Sequence, residues 1–92
     1  SDLQNTALFR QLLTDAGFDL LPGVTPIVPV MFGDAASAAA FATRLYDHGV
    51  YAVAFSYPVV PMGAARIRTQ VSAAHTEDDI RAAAAAFVAA RG

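Results

Sequence analysis

The 92-residue sequence contains no cysteine, no lysine and no tryptophan. Without cysteine the chain cannot form a disulfide, a thiolate nucleophile or a cysteine-based metal site. The missing cysteine also gives no indication of an oxidising compartment, and residues 1–16 lack the basic start and apolar block of a secretory signal. We therefore expect a cytoplasmic protein.

Charge is also scarce. Six arginines face eight acidic residues, giving a formal net charge of −2. Such a chain lacks the basic excess that neutralises phosphates, so we do not expect it to bind nucleic acid. The longest apolar run, residues 82–90, is less than half of the roughly 20 residues that a membrane span needs.

Only 15% of the residues are charged, whereas 55% are hydrophobic. Soluble domains usually have about 25% charged residues. Two explanations remain open at this point: a missing partner covers part of the apolar surface, or the many alanines raise the hydrophobic count without forming a patch. The length fits one small domain with little room for a deep pocket.

Periodicity and turn residues predict three helices and three strands. The predicted elements are a helix at 3–16, a strand at 26–32, a helix at 34–47, a strand at 50–55, a strand at 66–72 and a last helix that begins after Thr76. Pro29 cannot donate a hydrogen bond to a neighbouring strand, which favours a sheet edge or a bulge. Asp2 is only a weak cap for the first helix, which we expect to continue a longer chain.

This order predicts an α+β two-layer sandwich with a small, mainly antiparallel sheet. We expect the third strand in the centre and the helices on one face. The predicted buried stripes are Ala38, Phe41, Ala42 and Leu45 in the second helix, and Ile80, Ala84, Phe87 and Val88 in the last one. Alternation in the third strand turns Arg66, Arg68 and Gln70 away from Ile67, Thr69 and Val71, which face the helices.

The two histidines are interpreted as structural. His48 lies in the last turn of the second helix and His75 in the turn before the last helix, so they have no metal-ligand spacing. Asp34 follows Gly33 as a helix cap rather than as part of a phosphate cradle. Glu77, Asp78 and Asp79 form a solvated first turn.

Arg66 and Arg68 are the candidate binding residues. Two positions apart on a strand, their guanidinium groups point to the same face, where either can hold a carboxylate through two parallel hydrogen bonds. The alternative is a pair of salt bridges to acidic residues of a neighbouring segment.

Several ordered blocks carry a resemblance over residues 3–87. They are FR at 9–10, AGF at 16–18, IVPVM at 27–31 with Gly33 and Asp34, YPVVP at 57–61 with Gly63, ARIRTQ at 65–70 and SAAHT at 72–76. This series resembles the C-terminal domain of the 2-amino-3-ketobutyrate CoA ligases, or glycine C-acetyltransferases. These belong to the α-oxoamine synthases, pyridoxal-phosphate enzymes of the aminotransferase-like fold type I that condense an amino acid with an acyl-CoA.

The resemblance implies that residues 1–92 are the small C-terminal domain, and that the large domain upstream carries the cofactor lysine. It implies pyridoxal phosphate, glycine, acetyl-CoA and a homodimer for the full-length enzyme. Arg68 is then the residue that binds the substrate carboxylate, and Arg66, Tyr57, Pro58 and Pro61 support the domain contact and the active-site entrance. This chain would hold no catalytic residue, no metal and no covalently bound cofactor, so we expect it to be inactive alone.

Two alternatives stay open. In the 8-amino-7-oxononanoate synthases of the same family an arginine stands where this sequence has Ser56, which favours the glycine-using group. Met62 replaces a lysine that is common in that group, which leaves a cationic contact to CoA in question. Outside the family, a free-standing α/β ligand-binding or regulatory module would need a pocket of its own.

Overall fold

A computed structural model describes residues 1–91, in which three helices and three strands follow one another in the predicted order. Their bounds are α1 Asp2–Asp15, β1 Ile27–Gly33, α2 Ala35–Asp47, β2 Val53–Phe55, β3 Ala65–Gln70 and α3 Glu77–Arg91. The second strand is shorter than predicted: the Val50 amide still donates to the Leu45 carbonyl of α2 at 2.9 Å, and pairing with β3 begins at Val53. None of the described helices is long and apolar enough to span a membrane.

The sheet has the order β1-β3-β2, with β3 antiparallel to both neighbours. The predicted central position of the third strand and the α+β class are therefore confirmed. Val28 lies opposite Thr69 and Val30 opposite Ile67, and these four positions form the buried face. The helices pack on that face alone, which leaves the other face open.

Pro29 lies in an edge strand, as predicted. Its carbonyl accepts a hydrogen bond from the Leu21 amide at 3.0 Å. Since the nitrogen and the carbonyl of one strand residue point to the same side, the missing N–H of Pro29 faces Leu21 and costs β3 no hydrogen bond. The sheet irregularity lies between Met31 and Gly33 instead.

An aromatic cluster forms the centre of the core. Phe87 of α3 is fully buried and its ring centroid lies 5.9 Å from Phe9, 5.5 Å from Phe18 and 5.7 Å from Phe41. Edge-to-face and tilted pairs at these distances are the favourable arrangements for aromatic rings. Phe87 therefore ties α1, α2 and the turn after α1 together.

Two predictions at the helices were wrong. Val88 is 45% exposed, because the buried arc of α3 extends from Ala84 through Phe87 towards Ala90 and Ala86, the other way round the helix. The weak cap at Asp2 is also corrected: Ser1 caps α1 by accepting from the Gln4 amide, in a capping box.

Candidate functional site

The open face of the sheet brings the two candidate arginines beside apolar neighbours. Arg66 pairs with Met31 of β1 and Phe55 of β2, and Arg68 pairs with Pro29 and Val53. Arg68 is exposed and Arg66 half-buried, whereas Ile67 between them is fully buried. The prediction that the chain's own helices leave this face uncovered is confirmed.

A shallow cavity of about 290 Å³ lies on this face. Its lining is apolar apart from the two guanidinium groups, and consists of Ile27, Pro29, Phe55, Val59, Val60, Arg66 and Arg68. Within it no carboxylate is available to pair with either arginine. The alternative of salt bridges to a neighbouring acidic segment is therefore wrong for the described residues, whose ion pair is Arg81 with Glu77.

Arg68 differs from the other five arginines in its hydrogen bonds. Within residues 1–91 its guanidinium group donates to no acceptor, although its central carbon lies 4.4 Å from the ring centroid of Phe55, over the ring face. Each of the other arginines donates to at least one oxygen: Arg10 to Leu21, Arg44 to Ala90, Arg66 to Ala64, Arg81 to Glu77 and Arg91 to Ala16. Arg68 thus keeps all five N–H donors free for a ligand.

Arg66 has a different environment. Its Nε donates to the carbonyl oxygen of Ala64 at 3.1 Å, where the preceding loop joins β3. This contact stabilises the loop end next to the strand, and it leaves fewer donors of Arg66 for a ligand.

The loop at 56–64 borders the site. It contains a cis Tyr57–Pro58 peptide bond, and the amides of Val59 and Ala64 donate to Ser56 and Pro61. Tyr57, Pro58 and Pro61 are exposed. Tyr57 and Pro61 also line a second cavity of about 450 Å³, between this loop and the start of α2. The roles of Tyr57, Pro58, Pro61, Arg66 and Arg68 towards a substrate stay predictions.

Both histidines have structural positions, as expected. His48 is the C-terminal cap of α2, and Nδ1 of His75 accepts from the Ser72 amide at 3.1 Å. Among the described residues no group of three metal-ligating side chains occurs.

The capping carboxylates also act locally. Hydrogen bonds from the Ser37 amide and hydroxyl lower the pKa of Asp34, and the Thr76 amide and hydroxyl lower that of Asp79, with a smaller effect of His75. These groups stabilise the helix starts and stay ionised at neutral pH. They therefore offer no proton donor for acid catalysis.

Sequence reasoning missed Phe55 as part of the site. Alternation within β2 puts Phe55 and Val53 on one face, but only the register of β2 against β3 shows that this is the arginine face. The sequence carries no direct signal for that register.

Known proteins resemble the chain over nearly its whole length. Residues 3–87 match the model of the aminotransferase class I and II family. The 2-amino-3-ketobutyrate coenzyme A ligase of Escherichia coli K12 is 51% identical over 90% of the chain and 21% of its own length. The 8-amino-7-oxononanoate synthase of Symbiobacterium thermophilum is 46% identical over 91% of the chain and 21% of its own length.

A solved structure agrees with these relatives. The serine palmitoyltransferase of S. paucimobilis with a bound PLP-myriocin aldimine superposes with a TM-score of 0.87 and 30% identity, over 95% of this chain and 22% of that one. The chain therefore spans about a fifth of the length of the proteins it matches. Its sequence blocks and its fold agree on one assignment, and the chain belongs to the aminotransferase class I and II family, among the α-oxoamine synthases.

Proposed function

We propose that this chain is the small C-terminal domain of a pyridoxal-phosphate-dependent acyltransferase, and that Arg68 binds the carboxylate of its amino-acid substrate. The observation that carries the proposal is the guanidinium group of Arg68. It is exposed beside a cavity whose lining is apolar apart from Arg66 and Arg68, and it donates to no acceptor within residues 1–91. A substrate carboxylate supplies the missing acceptor and the missing negative charge.

Arg68 contributes orientation in this proposal. The planar guanidinium group can donate two parallel hydrogen bonds to the two oxygens of one carboxylate. Such a contact fixes both the position and the rotation of a small amino acid, so that its α-carbon has a defined place relative to the rest of the active site. The apolar neighbours exclude water and strengthen the charged contact when the face is covered.

The upstream large domain is the proposed cover of this face. The relatives are about four times as long as the chain, so an enzyme of this kind has ample sequence to bury Arg68 and the exposed loop residues Tyr57 and Val59. We propose a homodimer for the full-length enzyme, following the same resemblance. A free-standing module is less well supported, because the family match covers residues 3–87 and the relatives that match this chain are much longer than it is.

The residues of this chain do not fit covalent attachment of pyridoxal phosphate, because the sequence has no lysine. The cofactor supplies the electron sink for carbon–carbon bond formation, and the proposal assigns its lysine to the upstream domain. When the 92-residue chain, with its N-terminal amine acetylated, is titrated with pyridoxal phosphate, we expect no visible absorption band that survives dialysis. A persistent band would contradict this assignment.

For the substrates we propose glycine and acetyl-CoA, giving 2-amino-3-oxobutanoate and free CoA, the thiol released when the acetyl group is transferred. The 51% identity to a 2-amino-3-ketobutyrate coenzyme A ligase and the presence of Ser56 support this choice. The 46% identity to an 8-amino-7-oxononanoate synthase supports the alternative. Product analysis of the full-length enzyme separates them, since formation of 8-amino-7-oxononanoate without 2-amino-3-oxobutanoate would overturn the glycine assignment.

The role of Arg68 is tested by steady-state kinetics on the full-length enzyme, with amino acid and acyl-CoA varied separately. Hydrogen bonds to charged groups contribute about 1.5–3 kcal/mol, so Arg68→Ala should lower kcat/KM for the amino acid by roughly ten- to a hundredfold. Arg68→Lys should restore only part of it, because a point charge lacks the planar fork.

The neighbouring arginine provides the control. Arg66→Ala removes the hydrogen bond to Ala64, and we expect a lower melting temperature or weaker domain docking with a smaller effect on the amino acid. If kcat/KM for the amino acid is unchanged in Arg68→Ala and is lost in Arg66→Ala, the carboxylate binds Arg66 and the proposed role of Arg68 is wrong.

A further inference from the structure

The Phe55 ring lies under the one guanidinium group that donates to no acceptor within residues 1–91. Its centroid is 4.4 Å from the central carbon of Arg68. We propose that Phe55 is a positioning residue, which holds the Arg68 guanidinium in place while leaving its N–H donors free for the substrate carboxylate. This inference rests on the proposed carboxylate-binding role of Arg68.

An aromatic ring suits this task because of where its interaction acts. The ring attracts the cation through the negative face of its π-system. Unlike a carboxylate or a carbonyl oxygen, it does not occupy the hydrogen-bonding edge of the guanidinium fork. A protein acceptor in the same place would compete directly with the substrate.

Phe55 is anchored independently of the ligand. It lies in β2, where its backbone pairs with Arg66 of the central strand. The preceding residue, Ala54, pairs with the buried Ile67. Its side chain is half-buried on the open face and is not part of the buried core cluster. The strand thus fixes the ring, and the ring restricts the long side chain of Arg68.

The chain itself contains a matched contact for comparison. The guanidinium carbon of Arg91 lies 4.5 Å from the ring centroid of Phe18, nearly the same distance. There, however, an N–H group of Arg91 donates to the Ala16 carbonyl and closes the end of α1. The arginine–phenylalanine contact at Phe18 therefore serves packing. At Phe55, the guanidinium of Arg68 has no such acceptor within residues 1–91, which points to a ligand.

The test uses the full-length enzyme and three variants at this position. Phe55→Leu keeps apolar volume without the aromatic face, Phe55→Tyr keeps the face, and Phe55→Leu combined with Arg68→Ala closes a double-mutant cycle. For Phe55→Leu we expect a rise of about three- to tenfold in KM for the amino acid, the size of one cation–π contact. KM for the acyl-CoA and the melting temperature should stay unchanged, and Phe55→Tyr should behave as the wild type.

The double variant distinguishes positioning from general packing. If Phe55 acts through Arg68, Phe55→Leu adds no further increase in KM once Arg68 is alanine. A control variant, Phe18→Leu, breaks the matched contact, and it should lower the melting temperature without changing KM for the amino acid.

The outcomes distinguish the positioning role of Phe55 from the carboxylate-binding role of Arg68. An effect of Arg68→Ala combined with a wild-type KM in Phe55→Leu, or with fully additive changes in the double variant, would overturn the positioning role alone. The absence of any effect of Arg68→Ala would overturn the proposed function and this inference with it.

Discussion

Contacts between an arginine and a phenylalanine ring occur on both sides of the sheet, and they differ in whether the arginine also donates a hydrogen bond. Three arginines lie over phenylalanine rings: Arg44 over Phe41, Arg91 over Phe18 and Arg68 over Phe55. On the helix side, Arg44 and Arg91 also donate to carbonyls at the ends of α3 and α1. On the open face, Arg68 donates to no acceptor in the described residues. The first two arginines therefore stabilise helix ends, whereas Arg68 keeps its N–H donors free for a ligand.

This difference has an energetic reason. Carbonyl groups at helix ends lack partners within the helix and gain from a positively charged donor. Among the described residues, the side chains that line the cavity on the open face include no hydrogen-bond acceptor. An unpaired guanidinium group is acceptable there only as long as water or a ligand completes its hydrogen bonds. The comparison therefore predicts stability effects on the helix side and binding effects on the open face.

The largest expected effect is on the helix side. Phe87→Ala removes the ring that contacts Phe9, Phe18 and Phe41, and should lower the free energy of unfolding by about 3–5 kcal/mol. Urea unfolding of the 92-residue chain measures this. Phe87→Leu, which keeps most of the volume, serves as the control and should cost much less. A loss below about 1 kcal/mol for the alanine variant would mean that the aromatic cluster is not the centre of the core.

The arginines themselves give the next largest effect. Arg44→Ala removes the 2.7 Å hydrogen bond to the Ala90 carbonyl and should reduce the free energy of unfolding by about 1 kcal/mol, since the group is partly screened by solvent. Arg68→Ala should leave it within about 0.5 kcal/mol of the wild type. Paired urea titrations compare the two variants, and equal losses would remove the distinction between the faces.

A smaller effect concerns pH and the start of α3. Hydrogen bonds from Thr76 lower the pKa of Asp79 in the folded chain. A lowered folded-state pKa means that the stabilisation is complete above the pKa of the unfolded chain, and that it disappears as the pH falls through the folded-state value. Asp79→Asn should therefore reduce stability at neutral pH and flatten its decline below about pH 5.

Urea unfolding over a pH series measures this difference. Asp78→Asn is the matched control, because Asp78 lies in the same turn but forms no side-chain hydrogen bond within the described residues. Parallel pH profiles for the wild type and Asp79→Asn would show that the capping carboxylate does not contribute through its ionised form.

The smallest effect is expected at Val88. This side chain is 45% exposed on the outer side of α3, so Val88→Ser should change the free energy of unfolding by less than about 0.5 kcal/mol. A melting curve of the variant suffices. A large loss of stability would mean that Val88 belongs to the buried stripe of α3 and that the core includes this side of the helix.

Val88 also illustrates what the sequence predicts less well. The spacing of Ile80, Ala84 and Phe87 predicts a buried stripe, and these residues are buried. In an alanine-rich helix, however, small residues on either side of the stripe look alike, so the sequence does not show which way the buried arc extends. Packing against α1 and α2 decides it, and Ala86 and Ala90 are buried instead.

The site was predicted in part for a similar reason. Alternation along one strand suffices to put Arg66 and Arg68 on the same face, and the central place of β3 follows from the element order. The ring of Phe55 enters the site from another strand, and its position depends on register. Whether Arg66 or Arg68 has a free guanidinium group depends on a single contact to Ala64, which no sequence pattern encodes.

The most direct measurement is a crystal structure of the full-length enzyme with its amino-acid substrate bound. We expect both carboxylate oxygens to lie about 2.7–2.9 Å from guanidinium nitrogens of Arg68, with the guanidinium still over the ring of Phe55. A substrate carboxylate bound to Arg66 or to a residue of the upstream domain, with Arg68 facing solvent, would contradict it.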